Sequence, residues 1–244
     1  MKALILAAGM GRRILGESRG RPKTLLEIGG KPLLAHSIEN LLEEGLDEIL
    51  VVTGYGEEEI VDFLSSNFEE LSVEYIRNER YEETNNIYSL YLARRKLEGE
   101  DFTLLNSDVF FHPGILSNLL NSEKRGLILS VDTEVPLGEE EMKVLIRDDT
   151  VLDISKEIPP EEAQGEYIGI ARVDSEVSNG LFDAVKKTIL EKGFDVFYEE
   201  AFRELISRGE YPRVEETMGL PWIEIDTPED LRIAREKIAP LLRV

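Results

Sequence analysis

Apolar residues recur along the chain in two rhythms, and the rhythms alternate. Short apolar-rich runs at Ala3 to Ala7, Glu48 to Thr53, Val73 to Arg77 and Asp101 to Asn106 have the length and content of strands. Between them, Leu33 to Glu44 carries apolar residues at helical spacing (Leu34, Ile38, Leu41, Leu42), and Glu57 to Ser65 and Ile87 to Leu97 read as helices. Strand, helix, strand in this order predicts βαβ crossovers and a mainly parallel sheet.

Past residue 125 the rhythm changes. Gly126 to Asp132, Met142 to Ile146, Val151 to Ser155 and Glu166 to Val173 read as strands, the second and third joined by an Asp148-Asp149 turn. Helices are predicted at Glu176 to Glu191 and Tyr198 to Ser207, then a strand at Trp222 to Asp226. A closing helix follows, with Thr227 as its cap and Pro228 in its first turn. The expected fold is one α/β domain over 1–244: a doubly wound, mainly parallel, Rossmann-like mixed sheet with a small antiparallel lobe. Residues 1–125 would form one half and 126–244 the other.

Composition narrows the function more than the fold. Apolar residues are 42% of the 244, enough for a sizeable core. No apolar run approaches the length of a membrane span. Lys2 opens directly into a strand with no leader pattern, and there is no cysteine, so a cytoplasmic setting is expected. A net charge of −22 argues against a nucleic-acid partner, whose phosphates demand a basic surface. An acidic chain that handles phosphates must gather its cations locally and recruit a metal. Abundant Lys and Glu beside a single glutamine, Gln164, also match a bias seen in proteins from hot environments.

Such a local gathering exists. The first strand runs through Ala7 into Ala8-Gly9-Met10-Gly11-Arg12-Arg13, and strand ends at the carboxyl edge of such sheets are where ligands bind. Gly9 and Gly11 let backbone amides approach phosphate oxygens. Ile14 stands where a dinucleotide fingerprint needs its third glycine, and no P-loop sequence occurs. Instead, Arg12, Arg13, Arg21 and Lys23 make the stretch basic and acid-poor, suited to covering phosphates and neutralising a pyrophosphate leaving group. The ordinary alternative is a surface loop with scattered charge. Asp108, just past a strand in Leu104-Leu-Asn-Ser-Asp-Val109, and Asp226, ending Trp222-Ile-Glu-Ile-Asp226, are candidate Mg²⁺ ligands. Glu224 shares a strand face with Asp226 and could be a third ligand or a pocket wall; it receives no role here.

Leu6-Ala-Ala-Gly-Met-Gly-Arg-Arg13, Arg21-Pro-Lys-Thr-Leu-Leu26 and Gly30-Lys-Pro-Leu-Leu34 together resemble the signature of the nucleoside-diphosphate-sugar pyrophosphorylase-type nucleotidyltransferases. The resemblance implies that Arg13 and Lys23 contact the triphosphate and stabilise the transition state, and that Asp108 and Asp226 share Mg²⁺. Between Arg13 and Lys23 the chain lacks the Pro-Leu-Thr stretch usual in the sugar enzymes. Thr84-Asn-Asn-Ile-Tyr-Ser-Leu-Tyr91 resembles instead the choline-phosphate and inositol-phosphate cytidylyltransferase branch. That implies CTP, with Thr84, Asn85 and Asn86 beside Ala7, Ala8, Gly9 and Gly11 as nucleotide-binding residues. The polar residues of Asn78-Glu-Arg-Tyr81 and Thr84 to Asn86, clustered before a helix, can pair with a base edge or ribose, while Tyr88 and Tyr91 read as helix packing.

A phosphate monoester is already ionised near neutrality and needs cations rather than a general base. Lys156 and Lys143 are the candidates, although either could be a solvated strand-edge lysine. With aromatic residues at 7%, a choline cage is poorly supplied, whereas Glu166, Asp195, Glu199 and Asn106 could meet hydroxyl groups. Glu141 to Val144, Ile154 to Lys156 and Gly165 to Ile170 resemble the inositol-phosphate side, and the hot-environment composition favours it too. The expected reaction joins CMP from CTP to inositol 1-phosphate, with phosphocholine or a sugar 1-phosphate as other acceptors. A glycosyltransferase and a non-catalytic nucleotide sensor are the rivals. Asn106-Ser-Asp108 lacks the first acid of the D-x-D pair common in glycosyltransferases. His36 and His112 receive no role.

Overall fold

The computed structural model describes residues 1–242. Its strands are β1 (Lys2–Leu6), β2 (Glu27–Ile28), β3 (Lys31–Pro32), β4 (Ile49–Thr53), β5 (Val73–Arg77), β6 (Phe102–Asn106) and β7 (Val109–Phe111). Then come β8 (Leu127–Asp132), β9 (Lys143–Arg147), β10 (Thr150–Ser155), β11 (Gly165–Val173), β12 (Arg213–Glu216) and β13 (Trp222–Glu224). Nine of them form one sheet in the order β5-β4-β1-β6-β11-β8-β12-β10-β9. β5, β4, β1 and β6 are parallel, β11 is antiparallel to both β6 and β8, and the β9–β10 hairpin ends the sheet. The antiparallel strands expected of the second half therefore extend the same sheet.

The alternation of side chains along β1 explains the two helical layers. Ala3, Ile5 and Ala7 face a core with Leu34, Ile38 and Leu41 of helix Leu33–Glu43 and with Ile60 and Leu64 of helix Glu57–Asn67. Leu4, Leu6 and Ala8 face the opposite core, with Ile87, Leu90 and Leu97 of helix Asn86–Leu97 and Leu181 and Phe182 of helix Ser175–Lys192. A strand buried on both faces reads as an unbroken apolar run, as this one does.

A third core is smaller and sets the site. Ile14, Leu26, Ile28 and Leu33, from the segment between β1 and the start of helix Leu33–Glu43, pack with Phe110, Ile225, Leu231 and Ala234. It clamps that segment to the β7–β13 ribbon and the closing helix Pro228–Ile233. Thr227 caps this helix in a reciprocal box with Asp230, so the turn holding Asp226 is fixed from both sides.

Helix Pro113–Asn121, strand β12 and the short β7 were not anticipated. Pro113 and Gly114 look like loop residues, yet the proline takes the first helical position and His112 accepts the Gly114 N–H through Nδ1. No helix among the described residues is long and apolar enough to cross a membrane.

Candidate active site

β1 lies between β4 and β6, and its two neighbours are reached by crossovers that leave in opposite directions. Such a reversal opens a crevice at the carboxyl ends of the strands. A cavity of about 250 Å³ occupies it. Ala7, Ala8, Gly9, Gly11, Arg13, Lys23, Thr84, Asn85, Asn86, Asp108, Lys156 and Asp226 all line it, so residues up to 219 positions apart meet at one place.

The loop side is an ion-pair network. Lys23 Nζ donates to Asp108 Oδ2 at 2.7 Å and to Asp226 Oδ1 at 2.8 Å, and Arg13 donates to the other oxygen of Asp226. Burial works against the Lys23 charge, but Asp108 and Asp226 outweigh it and raise the pKa. Burial likewise opposes ionisation of Asp226, and Lys23, with Arg13 beyond it, still holds the carboxyl below its ordinary value. Gly11 makes the close approach possible: its φ is +58°, and a Cβ there would lie 2.9 Å from Lys23 Cβ.

Glu224 joins these acids. One oxygen each from Asp108, Glu224 and Asp226 lie within 4.8 Å of one another. With all three ionised, each like-charged pair at that spacing would cost about 3 kcal/mol for an effective dielectric near 20, and among the described residues Lys23 and Arg13 pair only with Asp108 and Asp226. Burial, then Asp108 and Asp226, push Glu224 up to about 8. Asp108 Oδ1 is buried with no hydrogen-bond partner. An orphaned oxygen in an all-oxygen set of acids fits a hard divalent cation. The i, i+2 spacing of Glu224 and Asp226, which puts both carboxylates on one strand face, is the sequence signal for this third acid.

On the opposite wall, Asn78 organises the segment before helix Asn86–Leu97. Its Nδ2 donates to Thr84 Oγ1 (3.1 Å) and Ser89 Oγ (3.2 Å), and its Oδ1 accepts from the Arg80 N–H. Asn85 accepts the Asn86 N–H as the helix cap, and Asn86 Oδ1 accepts the N–H of Tyr198 at 2.8 Å. Thr84, Asn85 and Asn86 thus reach the cavity while their oxygens also hold the fold. Asn78, from the polar cluster that the sequence places before this helix, is buried and on the cavity wall, where its side chain is held by three hydrogen bonds. Tyr88 and Tyr91 stack on each other beside Phe194, in keeping with helix packing.

Two residues expected at the acceptor do not reach the cavity wall. Lys143 is fully buried in β9 and donates to the carbonyls of Gly138, Glu139 and Glu141 at 2.9, 3.0 and 3.2 Å. It is neither a solvated edge lysine nor a free cation. Glu166 sits across from Asp132 and Lys143 in the sheet, and Tyr167, Ile168 and Gly169 line the cavity in its stead. Burial, then Glu141 and Asp132, push the Glu166 carboxyl up to about 7, against the pull of Lys156 and Lys143. Asp195 also stays off the wall.

Lys156, Glu199 and Asn106 do line it. Lys156 Nζ stands 5.3 Å from the centre of the Phe197 ring, and its charge lowers the pKa of Glu166, Glu199 and Asp226. The Tyr167 and Tyr198 hydroxyls are 3.0 Å apart, and Tyr198 donates onward to Asn106 Oδ1. Gly169, with φ +79°, lets β11 pass Asn106: a Cβ would lie 2.5 Å from its amide nitrogen.

Residues 3–142 match the model of the MobA-like NTP transferase domain, more than half of the chain. The chain belongs to that family. Over 237 residues it is 30% identical to the choline-phosphate cytidylyltransferase of Streptococcus pneumoniae, covering 97% of each protein. It is also 30% identical to the bifunctional IPC transferase and DIPP synthase of Aquifex aeolicus, covering 96% of this chain and 51% of that protein. The chain spans only 39% and 52% of the length of two other curated relatives. The inositol-1-phosphate CTP transferase of T. maritima superposes with a TM-score of 0.84 at 22% identity, over 99% of this chain and 94% of that one. The family is one of nucleotidyltransferases, and the Rossmann-like fold is shared.

Proposed function

We propose that this chain is a cytidylyltransferase that moves CMP from CTP to inositol 1-phosphate, giving CDP-inositol and pyrophosphate, with Mg²⁺ as its metal. The observation that carries the reading is the meeting of Lys23, Asp108 and Asp226 at 2.7 and 2.8 Å beneath the glycine turn after β1. The cytidylyltransferase and inositol-1-phosphate transferase names among its relatives support the substrates. A chain without cysteine supports a cytoplasmic setting.

Asp108, Glu224 and Asp226 would hold Mg²⁺, which when bound supplies charge neutralisation along the polyphosphate. The chain's own groups do the rest. Backbone amides around Gly9 and Gly11 receive the phosphates. Lys23 and Arg13 exchange their carboxylate partners for phosphate oxygens and stabilise the departing pyrophosphate. Lys156 orients the acceptor's phosphate, one oxygen of which bonds to the α-phosphorus as the bond to the α–β bridging oxygen breaks. Pyrophosphate leaves with the electron pair. No side chain has to take a proton, because the attacking phosphate is already ionised.

Pyrophosphate release is to be measured with CTP, UTP and GTP, each with inositol 1-phosphate, phosphocholine and sugar 1-phosphates. CTP with inositol 1-phosphate is expected to give the highest kcat/KM. A higher value for another pair contradicts the substrate assignment, and no release from any pair contradicts the reaction.

A further inference from the structure

The acceptor end of the cavity holds a carboxylate that none of the steps above employs. Glu199 is 4% exposed, opens helix Glu199–Ser207 and lines the same cavity as Lys156 and Asp226. Its Oε2 is buried without a hydrogen-bond partner. Buried carboxylate oxygens are normally satisfied, and one left bare on a cavity wall is suited to a ligand that brings the missing donor. Among the described residues no hydrogen bond reaches Oε2: the Tyr198 hydroxyl, near enough to hold the Glu199 pKa down, lies 3.2 Å from Asn106 Oδ1 and 3.0 Å from the Tyr167 hydroxyl.

We propose that Glu199 selects the acceptor: its free Oε2 takes a hydrogen bond from a hydroxyl of a polyhydroxylated phosphate monoester whose phosphate Lys156 holds. The inference rests on the nucleotidyl-transfer reading and narrows its acceptor class. A quaternary ammonium offers only C–H groups and leaves Oε2 bare. The exposed aromatic face that could receive such a cation, Phe197, already has the Lys156 ammonium over it, so a second positive charge there is repelled.

The test uses the whole chain with CTP and Mg²⁺ and compares three acceptors: inositol 1-phosphate, cyclohexyl phosphate as its hydroxyl-free counterpart, and phosphocholine. Glu199→Ala is expected to raise the KM for inositol 1-phosphate about tenfold to a hundredfold, the scale of one hydrogen bond to a charged group. Glu199→Gln keeps an oxygen in place and is expected to raise it less. The KM values for CTP and for cyclohexyl phosphate should move by less than about twofold in both variants. An unchanged KM for inositol 1-phosphate, or an equal rise for both ring phosphates, overturns the proposal. So does a wild-type preference for phosphocholine.

A preferred sugar 1-phosphate would displace inositol from the functional reading alone. The role of Glu199 then stands if Glu199→Ala raises the KM of that sugar phosphate, and falls if it does not. Melting temperature gives a readout free of turnover. With a non-hydrolysable CTP analogue present, inositol 1-phosphate should raise the melting temperature of the wild type, and Glu199→Ala should need about tenfold to a hundredfold more of it for the same rise. No rise in the wild type with any hydroxyl-bearing phosphate overturns the proposal.

Discussion

The two ends of the cavity handle buried charge in opposite ways. At the loop end Lys23, Arg13, Asp108 and Asp226 satisfy one another, and only Asp108 Oδ1 is left over. At the acceptor end Glu199 is buried with a bare oxygen, while Lys156 lies over an aromatic ring. The difference teaches which groups must move. Loop-end residues trade partners when the polyphosphate arrives, so their attraction to phosphate is offset by the pairs they break. Acceptor-end residues are already unsatisfied, so the acceptor gains the full contact and the folded protein carries the cost until it comes.

The largest effect should come from breaking the loop end. Lys23→Ala and Asp108→Ala are each expected to lower kcat by on the order of a hundredfold or more, the scale of one lost electrostatic contact in a transition state. Steady-state pyrophosphate release measures it, and near-normal kcat in both variants removes those residues from the mechanism.

A smaller effect tests the cost at the acceptor end. Burial pushes the Glu199 carboxyl from its usual 4.5 up to about 7, against its own backbone N–H, Lys156 and Tyr198, while Glu200 adds to the rise. Tyr167, packed alongside, feels the Glu199 charge in turn. Because the folded pKa is the higher one, the folded state binds the proton more tightly than the unfolded chain. This contribution to stability is complete below pH 4.5 and is lost as pH rises through about 7. Glu199→Gln removes the penalty, so relative to wild type it should gain up to about 3 kcal/mol of stability between pH 5 and pH 8. Denaturant unfolding at the two pH values checks this. A stability difference that does not change with pH would mean that Glu199 ionises freely.

The smallest effect on catalysis belongs to Lys143. Its ammonium is spent on three carbonyls of residues 138–141, so Lys143→Met should lower the melting temperature yet change the acceptor's KM by no more than about threefold. A rise comparable to that from Glu199→Ala would put Lys143 back at the substrate.

The same contrast explains how much was legible beforehand. The loop-end residues sit in contiguous motifs at strand ends, and β1 with its glycine turn announces the crevice, so Arg13, Lys23, Asp108 and Asp226 could be named from the chain. Strand periodicity also predicted β5 at its observed bounds and most others to within a residue. Acceptor-end residues come from separate strands and helices, in short scattered segments rather than one contiguous motif. Whether a strand lysine such as Lys143 faces a cavity or a loop of carbonyls depends on the β9–β11 register, which appears only when Gly165–Val173 is inserted between β6 and β8. Glu199 and Asp195 are equal candidates for hydroxyl partners in the sequence, and only burial separates them: Glu199 is enclosed on the cavity wall and Asp195 stays off it.

The most direct measurement is a crystal structure of the chain with CTP, or a non-hydrolysable analogue, and Mg²⁺. The account predicts that Lys23 Nζ gives up its 2.7 and 2.8 Å contacts with Asp108 and Asp226 and bonds to oxygens of the β- or γ-phosphate over the Gly9–Gly11 turn. A triphosphate bound elsewhere, with Lys23 still held between the two carboxylates, would contradict it.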